Sequence, residues 1–109
     1  MASEYKIRFT RRAVQDVTGI VDYLAGELAN PTAAAAFKKK LGECLDTLRM
    51  FPQSGTLVKN AYIPQIGIRE KLIGNYVLFY QSDAEMQAVY ILRVVHGSRD
   101  MDEVAKKLT

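Results

Sequence analysis

Apolar and polar positions alternate one for one across Tyr5-Lys6-Ile7-Arg8-Phe9, which is the period of a half-buried strand. Tyr5, Ile7 and Phe9 fall on one face, and Lys6 and Arg8 on the other. After Thr10 the spacing changes to threes and fours. Ala13, Val14, Val17, Ile20, Val21, Leu24 and Leu28 share one helical face, with Asp16, Asp22 and Glu27 pointing elsewhere. Thr10 suits the N-cap, because its hydroxyl can accept an otherwise orphaned amide of the first turn. Asn30-Pro31 restarts the chain as a capping residue and a proline at the first helical position, where a missing N–H does no harm. Ala34, Phe37, Leu41, Cys44, Leu45 and Leu48 make the stripe of this second helix, and the alanine run Ala33 to Ala36 allows close backbone approach. So short a connection predicts an antiparallel helical hairpin. Phe51-Pro52-Gln53-Ser54-Gly55 ends it.

The second half carries strand signals. Ile66 to Ile73 predicts one strand, with Arg69 and Lys71 on the same side. Gly74-Asn75 is a tight-turn pair. Tyr76 to Tyr80 is aromatic and β-branched, Gln81 to Gln87 a polar turn, and Ala88 to Val95 the strongest strand, placed centrally. Met101 to Thr109 predicts a short terminal helix carrying Lys106 and Lys107. The order is β-α-α-β-β-β, an α+β fold with a helical hairpin packed on a twisted antiparallel sheet.

Composition narrows this picture only a little. The 109 residues suit a single domain spanning residues 1–109, and 49% apolar content can build a core. No apolar run approaches the ~20 residues of a membrane-spanning helix. Met1 to Lys6 lacks the apolar stretch of a secretory signal, so the expected location is the cytoplasm, with no membrane partner. Cys44 is the only cysteine, so an internal disulfide is impossible, and no Cys/His cluster suggests a metal. Cys44 reads as a small core residue. A net charge of +3 permits an acidic partner without demanding one. Lys38-Lys39-Lys40 reads as a solvated helix face.

Five local patterns, in order, carry a resemblance to a known family. They are the basic opening strand; Ala13-x-x-Asp16 followed by Tyr23-Leu24; the alanine-rich second helix with Phe37, leading to Leu48, Pro52 and Gly55; Ile68-Arg69 with Gly74-Asn75-Tyr76-x-Leu78-x-Tyr80; and the run from Ile91 to Asp100, ILRVVHGSRD. From about Tyr5 to Asp100 the chain resembles the RelE/ParE toxin superfamily. The resemblance implies a toxin of a type II toxin–antitoxin (plasmid stabilisation) module, arresting growth when free of a cognate antitoxin encoded beside it. It also implies a homodimer or a toxin–antitoxin heterotetramer as possible assemblies, and no cofactor. One branch of the superfamily cleaves mRNA on the ribosome without metal. The other, ParE-like, poisons DNA gyrase and is not an enzyme.

Metal-free RNA cleavage needs a proton acceptor for the 2′-OH, cations at the phosphate and a proton donor for the leaving oxygen. His96 stands where the family often places a histidine, and an ordinary histidine titrates near neutrality. Arg69, Arg93 and Arg99 are the phosphate-holding candidates, and Tyr76, Tyr80 and Lys71 the binding candidates. Each has a structural alternative. His96 could hydrogen-bond the turn before Gly97. Arg69 and Arg93 could be solvated on an open sheet face, or pair with Asp100 and Glu70. Arg99-Asp100 could be a salt-bridged turn, and Tyr76 and Tyr80 core aromatics.

The departures favour the ParE side. The nuclease branch carries lysines just before the arginine matching Arg69, where this chain reads Asn60-Ala61-Tyr62-Ile63-Pro64 with Lys59 the nearest lysine. That branch also carries a tyrosine after the last strand, and here none follows Tyr90; in another branch a tyrosine follows the terminal histidine, where this chain has Gly97. The expectation is therefore ParE-like inhibition of DNA gyrase, with ribosome-dependent mRNA cleavage as the alternative and an inactive binding module as the third. In every case the antitoxin is expected to cover the working surface, on an open side of the sheet.

Overall fold

A computed structural model describes residues 4–59 and 67–108. Strand β1 (Lys6–Phe9) leads into helix α1 (Arg11–Asp22), which loosens into a π-helical turn over Tyr23–Glu27. Helix α2 (Pro31–Met50) returns antiparallel, and β2 (Thr56–Leu57), β3 (Arg69–Ile73), β4 (Tyr76–Asp83), β5 (Ala88–His96) and helix α3 (Met101–Lys106) follow.

The helix caps form as their residues require. Thr10 Oγ1 accepts the Ala13 amide at 3.1 Å and donates to the Leu92 carbonyl at 3.1 Å, so one hydroxyl starts α1 and ties it to β5. Asn30 caps α2 through the Ala33 amide at 3.0 Å, with Pro31 in the first turn. Ala29, left-handed at φ 46°, lets the Asn30 amide reach back to the Leu24 carbonyl at 2.8 Å and close the preceding helix.

The sheet runs β1-β5-β4-β3-β2. β3, β4 and β5 are antiparallel neighbours, and the left-handed Gly74 (φ 59°) forms the β3–β4 turn. β1 instead pairs parallel to β5, so the sheet is mixed where the sequence reading has it antiparallel. The reason is topological: the helical hairpin carries the chain across from β1, as a crossover must for a parallel pair. β2, a two-residue strand, was too short to leave a pattern. β5 has partners on both sides, as expected of an interior strand, and β4 extends three residues beyond Tyr80 into the segment read as a turn.

Two apolar layers enclose the sheet. On one side Ala13, Phe37, Leu41 and Leu48 of the hairpin pack on Ile73, Leu78, Tyr80, Val89, Ile91 and Val94. On the other side Val104 and Leu108 pack on Ile68, Val77, Phe79 and Val95. The second layer corrects the expectation of an open reverse side: α3 and the chain end cover a large part of it. Val14 and Leu28, counted on the apolar stripe of the first helix, are 50% and 51% exposed. They flank the stripe, whose centre is Ala13, Val17, Ile20 and Leu24.

The register shifts between Phe79 and Tyr80, which pair with Arg93 and Ile91, leaving Leu92 as the extra residue of a bulge. Ile91 and Val94 therefore both join the hairpin-side core, although three residues separate them. The bulge also places Arg93 where it can reach α1.

Candidate functional site

An open groove of about 710 Å³ runs between the end of α1 with its π-helical turn and the C-terminal end of β5. Ile20, Tyr23, Leu24 and Leu28 form an apolar wall, and Asn75, Tyr76, His96, Ser98 and Arg99 a polar one. Tyr23 and Leu28 are about half exposed. A π-helical turn widens the spacing of successive side chains, and such turns recur at functional positions. Here it carries Tyr23, which the sequence pattern includes without giving it a role, and Leu24, which belongs to the apolar stripe of the first helix.

Of the sequence-derived candidates, His96, Arg99 and Tyr76 come together in this groove. The Tyr76 ring meets Phe37 edge-on at 5.1 Å and His96 at 5.3 Å. His96 Nδ1 accepts the Ser98 amide at 3.1 Å and lies 2.7 Å from Ser98 Oγ. The turn hydrogen bond was the structural alternative for this residue, and the chain forms it. It has a chemical consequence. Nδ1 accepts an N–H, so the neutral ring carries its proton on the other nitrogen, Nε2. Proton abstraction through Nε2 would need the other tautomer and the loss of the Ser98 bond.

The remaining candidates do not line the groove, although Arg93 lies behind it, bound to the lining residue Asp16. Arg93 is 4% exposed, and its guanidinium grips Asp16, Nε to Oδ2 at 2.6 Å and Nη2 to Oδ1 at 3.1 Å. Asp16 Oδ2 also accepts the Val94 amide at 3.0 Å. The partner is thus Asp16, neither Asp100 nor Glu70, and Asp16 does not point away from the core. Its signal was present in the Ala13-x-x-Asp16 pattern: a carboxylate three residues after a fully buried alanine stands at the same helix flank. Asp100 instead caps α3, accepting the Asp102 amide at 3.0 Å.

Arg69 Nη1 donates to the Gly55 carbonyl at 2.8 Å. Tyr80 is fully buried, and its hydroxyl accepts the Gly55 amide at 2.8 Å. It is a core aromatic, with no face left for stacking. Burial pushes its phenol above the ordinary value, with the Gly55 hydrogen bond and the Arg69 charge pulling back. Only glycine fits at position 55, since a Cβ there would lie 2.6 Å from the Tyr80 hydroxyl and 2.7 Å from the Glu70 carbonyl oxygen. Lys71 lines a separate shallow groove over α2, with Lys40, Glu43 and Cys44. Arg69 pairs with Tyr80 and His96 with Tyr76. The two rows are four residues apart along β4, about 13 Å at strand spacing.

What the arrangement can do follows from its chemistry. The groove offers an apolar wall, two aromatic rings, a histidine turned to its own loop, one arginine, and the Asp16 carboxylate, which Arg93 already holds. That suits docking of an amphipathic segment better than holding a scissile phosphate. Among the described residues no group of three His, Cys, Asp or Glu could hold a metal ion, and no helix is long and apolar enough to cross a membrane.

Comparison with known proteins agrees with this fold. The model of the family described as the ParE toxin of type II toxin–antitoxin systems, parDE, matches residues 7–101. Among solved structures, the chain is similar to the chromosomal ParDE TA system from P. aeruginosa, with TM-score 0.66 and 18% identity over 87% of this chain and 98% of that one. It is also similar to the toxin–antitoxin complex RelBE2 from Mycobacterium tuberculosis, with TM-score 0.50 and 24% identity over 85% of this chain and 98% of that one. At these identities the structural likeness speaks to the fold. No curated protein sequence matches the chain. The family model spans nearly all of the chain, including both α1–β5 links and the groove residues up to Arg99, and the chain belongs to the family of ParE toxins of type II toxin–antitoxin systems.

Proposed function

We propose that the chain arrests growth by inhibiting DNA gyrase as a binding protein, and that a cognate antitoxin silences it. The observation that carries this reading is the dispersal of the cations a nuclease would need. Arg93 is committed to Asp16 and Arg69 to the Gly55 carbonyl, which leaves Arg99 as the one member of the arginine set beside His96. Phosphoryl transfer without metal depends on several cations converging on one phosphate. A binding toxin has no such requirement, and the family match favours the same side. The antitoxin reading rests on the family and on the groove, whose apolar wall and single arginine suit a segment carrying apolar and acidic side chains that orders on binding. The second reading, mRNA cleavage, has His96, Tyr76 and Arg99 in one groove in its favour.

Induced expression separates the readings. Growth arrest with gyrase-linked DNA breaks and intact mRNA is expected, and the His96→Ala variant should retain full toxicity. Ribosome-dependent mRNA cuts that vanish in His96→Ala would replace gyrase inhibition by nuclease action. Failure of the free chain to arrest growth would leave an inert binding module.

A further inference from the structure

Four cations within seven residues, Lys6, Arg8, Arg11 and Arg12, lie outside the groove, on the edge strand β1 and in the first turn of α1. β1 is an edge strand. Ile7 and Phe9 pack into the hairpin-side core, so Lys6 and Arg8 stand on the opposite face, and both are exposed. Arg8 lies in register with the part-buried Tyr90, and Tyr90 with Gln81. Past Thr10 the chain enters α1, whose first two residues, Arg11 and Arg12, are exposed as well. Among the described residues none of these four cations has a carboxylate partner; the ion pairs join Arg49, Arg93 and Lys106 to acids elsewhere.

Lysine and arginine on an edge strand guard against unwanted strand pairing, which accounts for Lys6 and Arg8. It does not account for Arg11 and Arg12. They occupy the positive end of the α1 dipole, where acids are favoured, and the first turn has none. Four like charges within seven residues, two of them opposed to the helix dipole, lower local stability unless a polyanion neutralises them.

We propose that Lys6, Arg8, Arg11 and Arg12 bind the phosphate backbone of duplex DNA without sequence preference. The inference goes beyond gyrase inhibition and stands or falls separately from it. Duplex DNA fits better than the other polyanions. Acidic motifs are also read by arginine clusters, but the apolar side chains of β1 here, Ile7 and Phe9, are turned inward, which leaves a peptide only charge to bind by. A single strand needs successive stacking rings, and among the described residues the ring in register with Arg8 is that of Tyr90, which is partly buried.

The test titrates the purified full chain with random-sequence duplex DNA at a series of salt concentrations. Four neutralised phosphates predict that doubling the salt lowers affinity about 12-fold, and that Arg8→Gln reduces this to about 6-fold. Lys6→Gln, Arg8→Gln, Arg11→Gln and Arg12→Gln combined should abolish the salt-sensitive binding with a melting temperature no lower than that of the wild type. A charge-matched control, Lys38→Gln, Lys39→Gln, Lys40→Gln and Lys107→Gln combined, should keep it. Equal weakening in both quadruple variants would reduce the effect to net charge and overturn the proposal. So would tighter binding of single-stranded DNA or of duplex RNA, or binding of an oligoglutamate peptide in place of DNA. Were the strip variant to melt early, an unchanged salt slope in Arg8→Gln would overturn the proposal by itself.

Discussion

At the scale of single residues, the Arg93–Asp16 pair is the contact on which most else depends. It joins side chains 77 positions apart, and Asp16 also satisfies the Val94 amide beside the bulge. Removing one partner strands a buried charge. Asp16→Ala is therefore expected to destabilise the fold by about 3 kcal/mol in urea denaturation, with the double variant Asp16→Leu, Arg93→Met recovering most of that loss. A double variant no better than the single one would show that the pair contributes more than charge compensation. Tyr80 and Cys44 add a pH dependence. Burial raises both acids above their ordinary values of 10.0 and 9.0, opposed at Tyr80 first by the Gly55 amide and at Cys44 by the Lys71 charge. The unfolded chain then ionises first, so their contribution is fully present below the unfolded values and is lost as pH rises through the folded ones. The urea midpoint should fall steadily above about pH 9. Tyr80→Phe should flatten that fall while lowering stability at neutral pH by about 1–3 kcal/mol, because the buried Gly55 amide loses its acceptor. An alkaline slope unchanged in Tyr80→Phe would remove Tyr80 from this account.

At the scale of elements, the parts of the fold legible in the sequence are those with long, regular periods. The strand of alternating residues at Lys6–Phe9, the two capped helices of the hairpin, the Gly74-Asn75 turn and the interior β5 all follow from spacing and turn chemistry. Three features were not legible, each for a physical reason. The parallel pairing of β1 with β5 is a long-range choice that no local period encodes. The bulge at Leu92 shifts β5 by one residue, so strict alternation misjudges Arg93. The tail reads as a helix, but its apolar residues Val104 and Leu108 are too few to announce that they roof the second face. The candidate site was legible only in part. His96, Arg99 and Tyr76 share the groove, while Tyr23 and Leu28 gained their place from a π-helical turn that propensity does not foresee. For α3 the expectation is concrete. Val104→Asp, or removal of residues 101–109, should expose Val77, Phe79 and Val95, lower the melting temperature and promote self-association by light scattering. A truncated chain that stays monomeric and equally stable would mean that the second apolar layer contributes nothing.

At the scale of the whole molecule, the hairpin and sheet hold a groove at one end and a cationic edge at another. The buried Arg93–Asp16 pair fixes α1 against β5 at the wall of the groove. The groove's chemistry is that of a binding surface: an apolar wall, aromatic rings and a histidine satisfied by its own turn. Among the described residues, Arg99 is the cation that lines it. This account makes the free chain an inhibitor by contact, and it ties inhibition to groove residues such as Tyr23 and Leu28 rather than to His96.

The most direct test is a supercoiling reaction with purified gyrase, relaxed plasmid, ATP and the free chain. The account predicts loss of supercoiling and accumulation of gyrase-bound cleaved DNA, unchanged with His96→Ala and weakened at least several-fold with Tyr23→Asp, Leu28→Asp. Full supercoiling in the presence of the chain, with translated mRNA cut in a parallel ribosome reaction by the wild type but not by His96→Ala, would contradict it.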